Sequence, residues 1–238
     1  MFVSPIFGRV NIPARAKVGL MVSLTYLFFV SFPPVAPIAY TTLVGFALIC
    51  INELLIGVAI AFVTNIFFSL TFIAGQLIDM QIGFGIVNVY DVQNNTQIPM
   101  VGNILNLVLL LVFFAVNGHR WIIQMMHLTL EKLPVGNLVF RPEIGLVAAE
   151  LFAKSFLLGV MVAMPVIASG LILEITFGML IRTVPQMNMF VVGIPIKILV
   201  GFVVLLFTIP MFVDFSATIF QEMYMGVEKM FSTFVVAS

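Results

Sequence analysis

No charged side chain occurs between Lys17 and Glu53, and a run of that length has few places to go in water. Pro33, Pro34 and Pro37 divide it, because proline removes a backbone donor and clashes with the preceding turn. The run therefore predicts one helix ending at about Ser31 and a second beginning near Thr41. The second continues to about Ile78, and at 1.5 Å per residue it would rise ~55 Å. A hydrocarbon core is ~30 Å thick, so this helix must tilt, kink or project from the membrane.

The remaining runs repeat the pattern. A third helix is predicted from about Pro99 to Val116, followed by NGHRW and an amphipathic piece to Glu131. After the LPVGNLVFRPEIG connector comes an apolar helix from about Leu146 to Met179, with Pro165 as a predicted kink. The last long run, Met189 to Phe212, contains Pro195 and Pro210 and ends at Asp214, with a polar amphipathic tail behind it. These runs lack the two-residue alternation of barrel strands. Hydrophobic residues make up 62% of the 238, charged residues 8%, and mean hydropathy is +1.23, against roughly 25% charged in a soluble domain. The fold class is an all-α integral membrane protein.

Charge and cysteine content exclude several classes. Ten basic and ten acidic side chains cancel, so no net field favours nucleic acid or an anionic surface. Cys50 is the single cysteine and rules out an internal disulfide. The start, MFVSPIFGRVNIPAR, is too short in apolar residues before its prolines to act as a secretory signal, and membrane entry is expected to rely on the internal spans. Arg9, Arg15 and Lys17 place the start on the cytoplasmic side. The later basic residues give no clean alternation, which is expected if some helices are hairpins against other protein.

Glu53, Asp79, Lys154, Glu174 and Lys197 lie in or at the edge of apolar runs, where an ionisable group facing lipid costs at least ~2.5 kcal/mol. Each needs a protein or water partner. Gly57 and Ala61, one and two turns beyond Glu53, offer a spacing for close helix approach, and Asn103 with Asn106 lies on one face of the third helix. These groups serve as glue within the chain, as contacts to other subunits, or as part of an ion pathway. The candidate polar contacts are Glu53, Asp79, Asn103, Asn106, Glu174, Arg182, Gln186, Asn188 and Lys197. A weak internal duplication accompanies them: Asp79, Gly83, Phe84 and Pro99 in one region match Glu174, Phe177, Gly178 and Pro195 in the other, suggesting two hairpins with polar bends.

Catalytic chemistry is hard to place. His119 and His127 would stand ~12 Å apart on one helix, and HExxH, CxxC and phosphate-binding glycine loops are missing. Asp79 and Glu174 are the one conceivable acid pair. No enzyme activity, metal or cofactor is expected.

Ordered motifs then point to a family. PIFGRVNIPARAKVGL at 5–20, NELLIGVAIAFV at 52–63, AGQLIDMQIGFG at 74–85, NGHRW at 117–121, LPVG at 133–136 and VPQMNMFVVGIPIKILVG at 184–201 resemble the FliR family of flagellar export proteins and its SctT relatives in injectisome type III secretion. The resemblance covers nearly the whole length. It departs at the start, where only Met1 to Ser4 precede Pro5 while family members usually carry another apolar helix; this bears on the first inter-subunit contacts.

The resemblance implies a job. FliR-like proteins are similar to a fusion of the FliP and FliQ gate subunits and assemble with several copies of each into a cone-shaped core that passes unfolded substrates, with an FlhB-like switch protein outside. It also implies a FliP-like part at 1–143, a FliQ-like hairpin and tail at 144–238, and a place in the bacterial inner membrane, in a flagellar basal body or injectisome base. A lumenal loop of the FliR-like subunit helps plug the closed gate. The polar segment 83–98 suits that role, since irregular backbone at membrane depth is tolerated where it lines a wet cavity. Gly83 and Gly85 supply hinges, Phe84, Val87, Val89 and Tyr90 constrict, Asp91 to Gln97 form a wettable run, and Asn88 belongs to the same plug. The rival classes are a secondary transporter or small channel acting as a homo-oligomer, which broken helices and buried acids would also suit, and a membrane-embedded hydrolase.

Overall fold

The computed structural model describes residues 8, 13–31, 42–84, 99–132, 138–140, 142–184 and 189–236. Among the described residues the chain is all-α apart from one small ladder. Helices α1 (Ala14–Ser31), α2 (Leu43–Ile82), α3 (Met100–Ala115) and α4 (Gly118–Lys132) precede strand β1 (Leu138–Phe140). Helices α5 (Ile144–Thr183) and α6 (Met189–Phe231) and strand β2 (Phe234–Val236) complete the order. Among the described residues α1, α2, α5 and α6 are long and apolar enough to cross a membrane, and α3 with α4 forms a bent pair that passes the same test together.

Three boundaries differ from the sequence reading, the first being α5, which runs four residues past the predicted Met179 to Thr183. Helix α2 runs to Ile82, past Asp79, and α6 runs unbroken through Pro195, Pro210 and Asp214 to Phe231. The amphipathic tail is thus the C-terminal third of α6. Ile219, Phe220, Met223, Val227 and Met230 are buried while Asp214, Thr218, Gln221, Glu228 and Lys229 are exposed. That is a 3.6-residue stripe, and a charge on its solvated side gives the helix no reason to stop. The ladder was not expected from the sequence: β1 pairs antiparallel with β2, Leu138 opposite Val236 and Phe140 opposite Phe234.

The chain divides into two compact units, and α2, α3, α5 and α6 contribute residues to both. Each unit draws on residues from both sides of the 143/144 position. Unit 1 comprises Met1–Phe67, Phe113–Phe152 and Gln221–Ser238. Val63, Phe67, Phe113, Leu151, Met223 and Val227 are buried in it. Gly226 lets α6 approach its neighbours: a Cβ there would stand 2.9 Å from Leu151 Cδ2 and 3.3 Å from Val63 Cγ1. Trp121 of α4 stacks on Tyr224 of α6 with centroids 3.8 Å apart, and Lys229 Nζ meets Glu150 Oε1 at 2.6 Å.

Unit 2 comprises Phe68–Val112 and Ala153–Phe220. It holds two helical hairpins, the end of α2 with α3 and most of α5 with α6. Leu70, Ala74 and Ile78 on α2 and Val101, Leu105 and Leu109 on α3 are buried, rows spaced by four that suit ridge-into-groove packing. Hydroxyls inside these helices turn back on their own carbonyls: Thr71 Oγ1 donates to Phe68 O at 2.8 Å, and Thr208 Oγ1 to Val204 O at 2.8 Å. In lipid this is how a lone hydroxyl avoids an unsatisfied donor.

Candidate functional site: the braced hairpins of unit 2

Three cross-links one helical turn apart on α2 tie it to α3. Deepest in the hairpin, Asn106 Nδ2 donates to Thr71 Oγ1 at 3.2 Å and to Phe68 O at 3.4 Å. One turn on, Gly75 and Gly102 face each other so closely that a Cβ on Gly75 would fall on the Cα and N of Gly102. Another turn on, the buried Asp79 Oδ1 accepts the Val101 N–H at 3.3 Å. Helix α2 then ends: Gly83 N–H donates to Asp79 O at 3.1 Å with φ of 100°, a backbone conformation that glycine adopts without penalty. Phe84 follows with its ring edge-on to Phe202 of α6, centroids 5.5 Å apart.

The second hairpin carries a related brace. Lys197 Nζ on α6 donates to Glu174 Oε1 on α5 at 2.6 Å. Asp79 reaches a donor 22 residues on and Glu174 a donor 23 residues on, so each half of the suspected repeat has an acid-to-donor cross-link at nearly the same separation, to a backbone N–H in one and to an ammonium in the other. The two acids do not pair with each other. The Glu174 side chain is 50% exposed and that of Lys197 22%, and on an apolar span this pair needs cover. Glu174→Lys is expected to leave two cations together and to cut the yield of folded chain in detergent severalfold. The swap Glu174→Lys with Lys197→Glu restores an opposite pair and should recover most of that yield, which size-exclusion chromatography measures.

Other sequence candidates fall in different places. Asn106 is half-buried glue within the chain, whereas Asn103 is exposed. Glu53 lies half-buried in unit 1, and Arg182 is exposed near the end of α5. At Gly57 a Cβ would meet no other helix of this chain within 4 Å, and close helix approach within the chain occurs at Gly75 and Gly102. Gly85, Val87, Asn88, Val89, Tyr90 and Asp91, with Gln186 and Asn188, lie outside the described residues. Sequence reasoning also missed Gly170 and Gly201. A Cβ on Gly170 would meet the Gln81 side chain, and one on Gly201 would stand 2.6 Å from Ile82 Cγ1, so α5 and α6 both thin down where α2 ends. Glycines inside charge-free helices were the available signal.

The family described as bacterial export proteins, family 1, matches residues 1–223. The chain belongs to that family. Its relatives include flagellar biosynthetic protein FliR of Aquifex aeolicus (strain VF5), 30% identical over 238 residues, covering 99% of this chain and 89% of the relative. FliR of Bacillus subtilis (strain 168) is 31% identical over 209 residues, 85% of this chain and 78% of the relative. FliR of Escherichia coli (strain K12) is 29% identical over 222 residues, 93% and 84%. The family match spans α1 to α5 and most of α6, so both braced hairpins belong to the bacterial export family's shared body.

Proposed function

We propose that this chain is a subunit of the flagellar type III protein export gate in the bacterial inner membrane, without catalytic activity, assembled with FliP-like and FliQ-like subunits and contacted by an FlhB-like switch protein. The observation that carries this reading is the export-family match over 1–223 together with relatives named as flagellar biosynthetic proteins. Polar groups on the spans support the need for unlike partners. The half-exposed Glu174 stands between exposed Ile172 and Ile175, and exposed Asn103 and Arg182 stand next to exposed Ile104 and Ile181; an outward polar or charged group among apolar side chains is costly in lipid unless protein covers it. In this reading Glu53, Gln186, Asn188 and Lys197 join those contacts.

Residues 83–98 are the lumenal plug. Gly83 ends α2 in a turn that only glycine makes cheaply, and Phe84 turns its ring toward α6, which suits a constriction built from weakly held apolar groups. Such groups exclude ions by dewetting and still yield to an unfolded chain. The test is co-expression with FliP-like and FliQ-like subunits, purification in mild detergent and native mass spectrometry. A defined hetero-oligomer holding this chain is the expected result. A stable homo-oligomer that ignores those subunits overturns the proposal in favour of a transporter or channel.

A further inference from the structure

The first turn of α3 poses a problem that its own sequence does not solve. Met100, Val101 and Gly102 carry backbone N–H groups that an intrahelical ladder cannot reach, and the first bond of the helix runs from Asn103 N–H to Pro99 O at 3.0 Å. Helices usually satisfy such donors with a Ser, Thr, Asp or Asn at the capping position. Here that position is Pro99, which has no side-chain acceptor. In an apolar environment an orphan donor is expensive.

We infer that Asp79 is the cap of α3, supplied from another helix, and that it acts as a positioning residue holding together the two ends from which the chain between Phe84 and Pro99 departs. Its Oδ1 accepts the Val101 N–H, the second helical position where a capping oxygen normally binds. Its carboxyl group lies at the positive end of the α3 dipole. Asp79 is 2% exposed and makes no ion pair among the described residues, and Oδ2 has no hydrogen-bond partner among them. The acid is therefore placed to serve α3 rather than a cation. The Gly75 to Gly102 contact one turn below brings the two backbones near enough for the short aspartate to reach. Gly83 then terminates α2 one turn above the cap. An acid inside an apolar run thus reads as a clamp at the base of the segment, not as part of an ion path.

This inference rests on the gate reading for its functional consequence but not for its chemistry, and the test separates the two. The export-gate complex is reconstituted in phospholipid vesicles loaded with potassium, and efflux is compared for wild type, Asp79→Ala, Asp79→Asn and a variant lacking Gly83 to Gln97. Asn keeps an acceptor for the Val101 N–H and Ala does not. Asp79→Ala is expected to raise closed-state efflux roughly tenfold at unchanged complex mass, the effect of leaving one buried N–H without its acceptor. Asp79→Asn should stay within about twofold of wild type, a rescue that mere loss of a buried charge would not give. The Val101 amide should resist deuterium exchange in the wild-type complex and exchange faster in Asp79→Ala. Wild-type tightness of Asp79→Ala in a system where the deletion leaks overturns the clamp and leaves the gate reading standing. Equal leak from Asn and Ala overturns the capping role. A deletion that does not leak overturns the gate reading, and the Val101 amide then decides the cap alone. The same amide decides it if Asp79→Ala does not assemble, since an unprotected Val101 N–H in wild type overturns the inference.

Discussion

Alanine at Gly75 will prevent α2 and α3 from closing, at a cost of ~3 kcal/mol or more, the upper end of what overpacking does in a filled interior. The new methyl would fall on the Cα and N of Gly102. Backbone cannot rotate aside as a flexible side chain can, so the helices must separate. Separation stretches the Asp79 to Val101 bond and the Asn106 bonds to Thr71 and Phe68 together, because all three lie on the same face within two turns. Gly57→Ala provides the control: nothing lies within 4 Å of its Cβ, and the helix-propensity gain of up to ~1 kcal/mol is unopposed in the isolated chain. Thermal unfolding in detergent followed by circular dichroism distinguishes them. Equal melting temperatures for the two variants would contradict the close approach.

The contrast between these glycines explains what the sequence could and could not convey. Both sit in apolar helices beside small residues, and a spacing rule cannot distinguish a glycine that meets another backbone from one that faces outward. The spans were legible because a charge-free run is a direct consequence of lipid. Helix α1 ends at Ser31 and α2 begins at Leu43, close to the predicted Ser31 and Thr41. The sequence places the end of α2 at Ile78, four residues short of Ile82, because an acid at Asp79 reads as the end of an apolar run. Its carboxylate answers a donor on α3, so the charge is compatible with an unbroken helix, and no local pattern reveals that. The end of α6 was missed for a similar reason. Asp214 marks a change in which face is solvated, with the buried stripe continuing through Met223 and Val227.

The candidate site was legible as composition and only partly as geometry. Asp79, Glu174 and Lys197 stood out because charges are rare in such runs, and two of them form a pair with each other. The direction of each side chain depends on helix phase across a separation of 22 or 23 residues, which a single sequence does not fix. Asn103 and Asn106 illustrate this. They are three apart and nominally on one face, yet only Asn106 turns toward α2, because the hairpin crossing uses the Val101, Leu105 and Leu109 row and Asn103 falls beside it.

The second large effect is expected at the corner between α3 and α4 in unit 1. Phe113 is fully buried, and Phe113→Ala should destabilise the chain by ~3–5 kcal/mol, the usual range for a buried aromatic truncated to alanine. The corner itself turns at Asn117, whose φ of 58° lies in the left-handed region that asparagine tolerates better than most residues. Gly118 follows it, and a Cβ there would enter the Phe113 ring. Gly118→Ala alone is therefore destabilising, by ~1–3 kcal/mol as overpacking. The two changes are not independent. Removing the ring vacates the space that the new methyl needs, so the double variant should be more stable than the sum of the single costs predicts, by at least ~1 kcal/mol of coupling. Trp121 is the only tryptophan, lies one turn beyond the corner and stacks on Tyr224, so its fluorescence follows unfolding of this unit. Strict additivity in that signal would mean that the ring and the glycine do not meet, and that the corner is held by Asn117 alone.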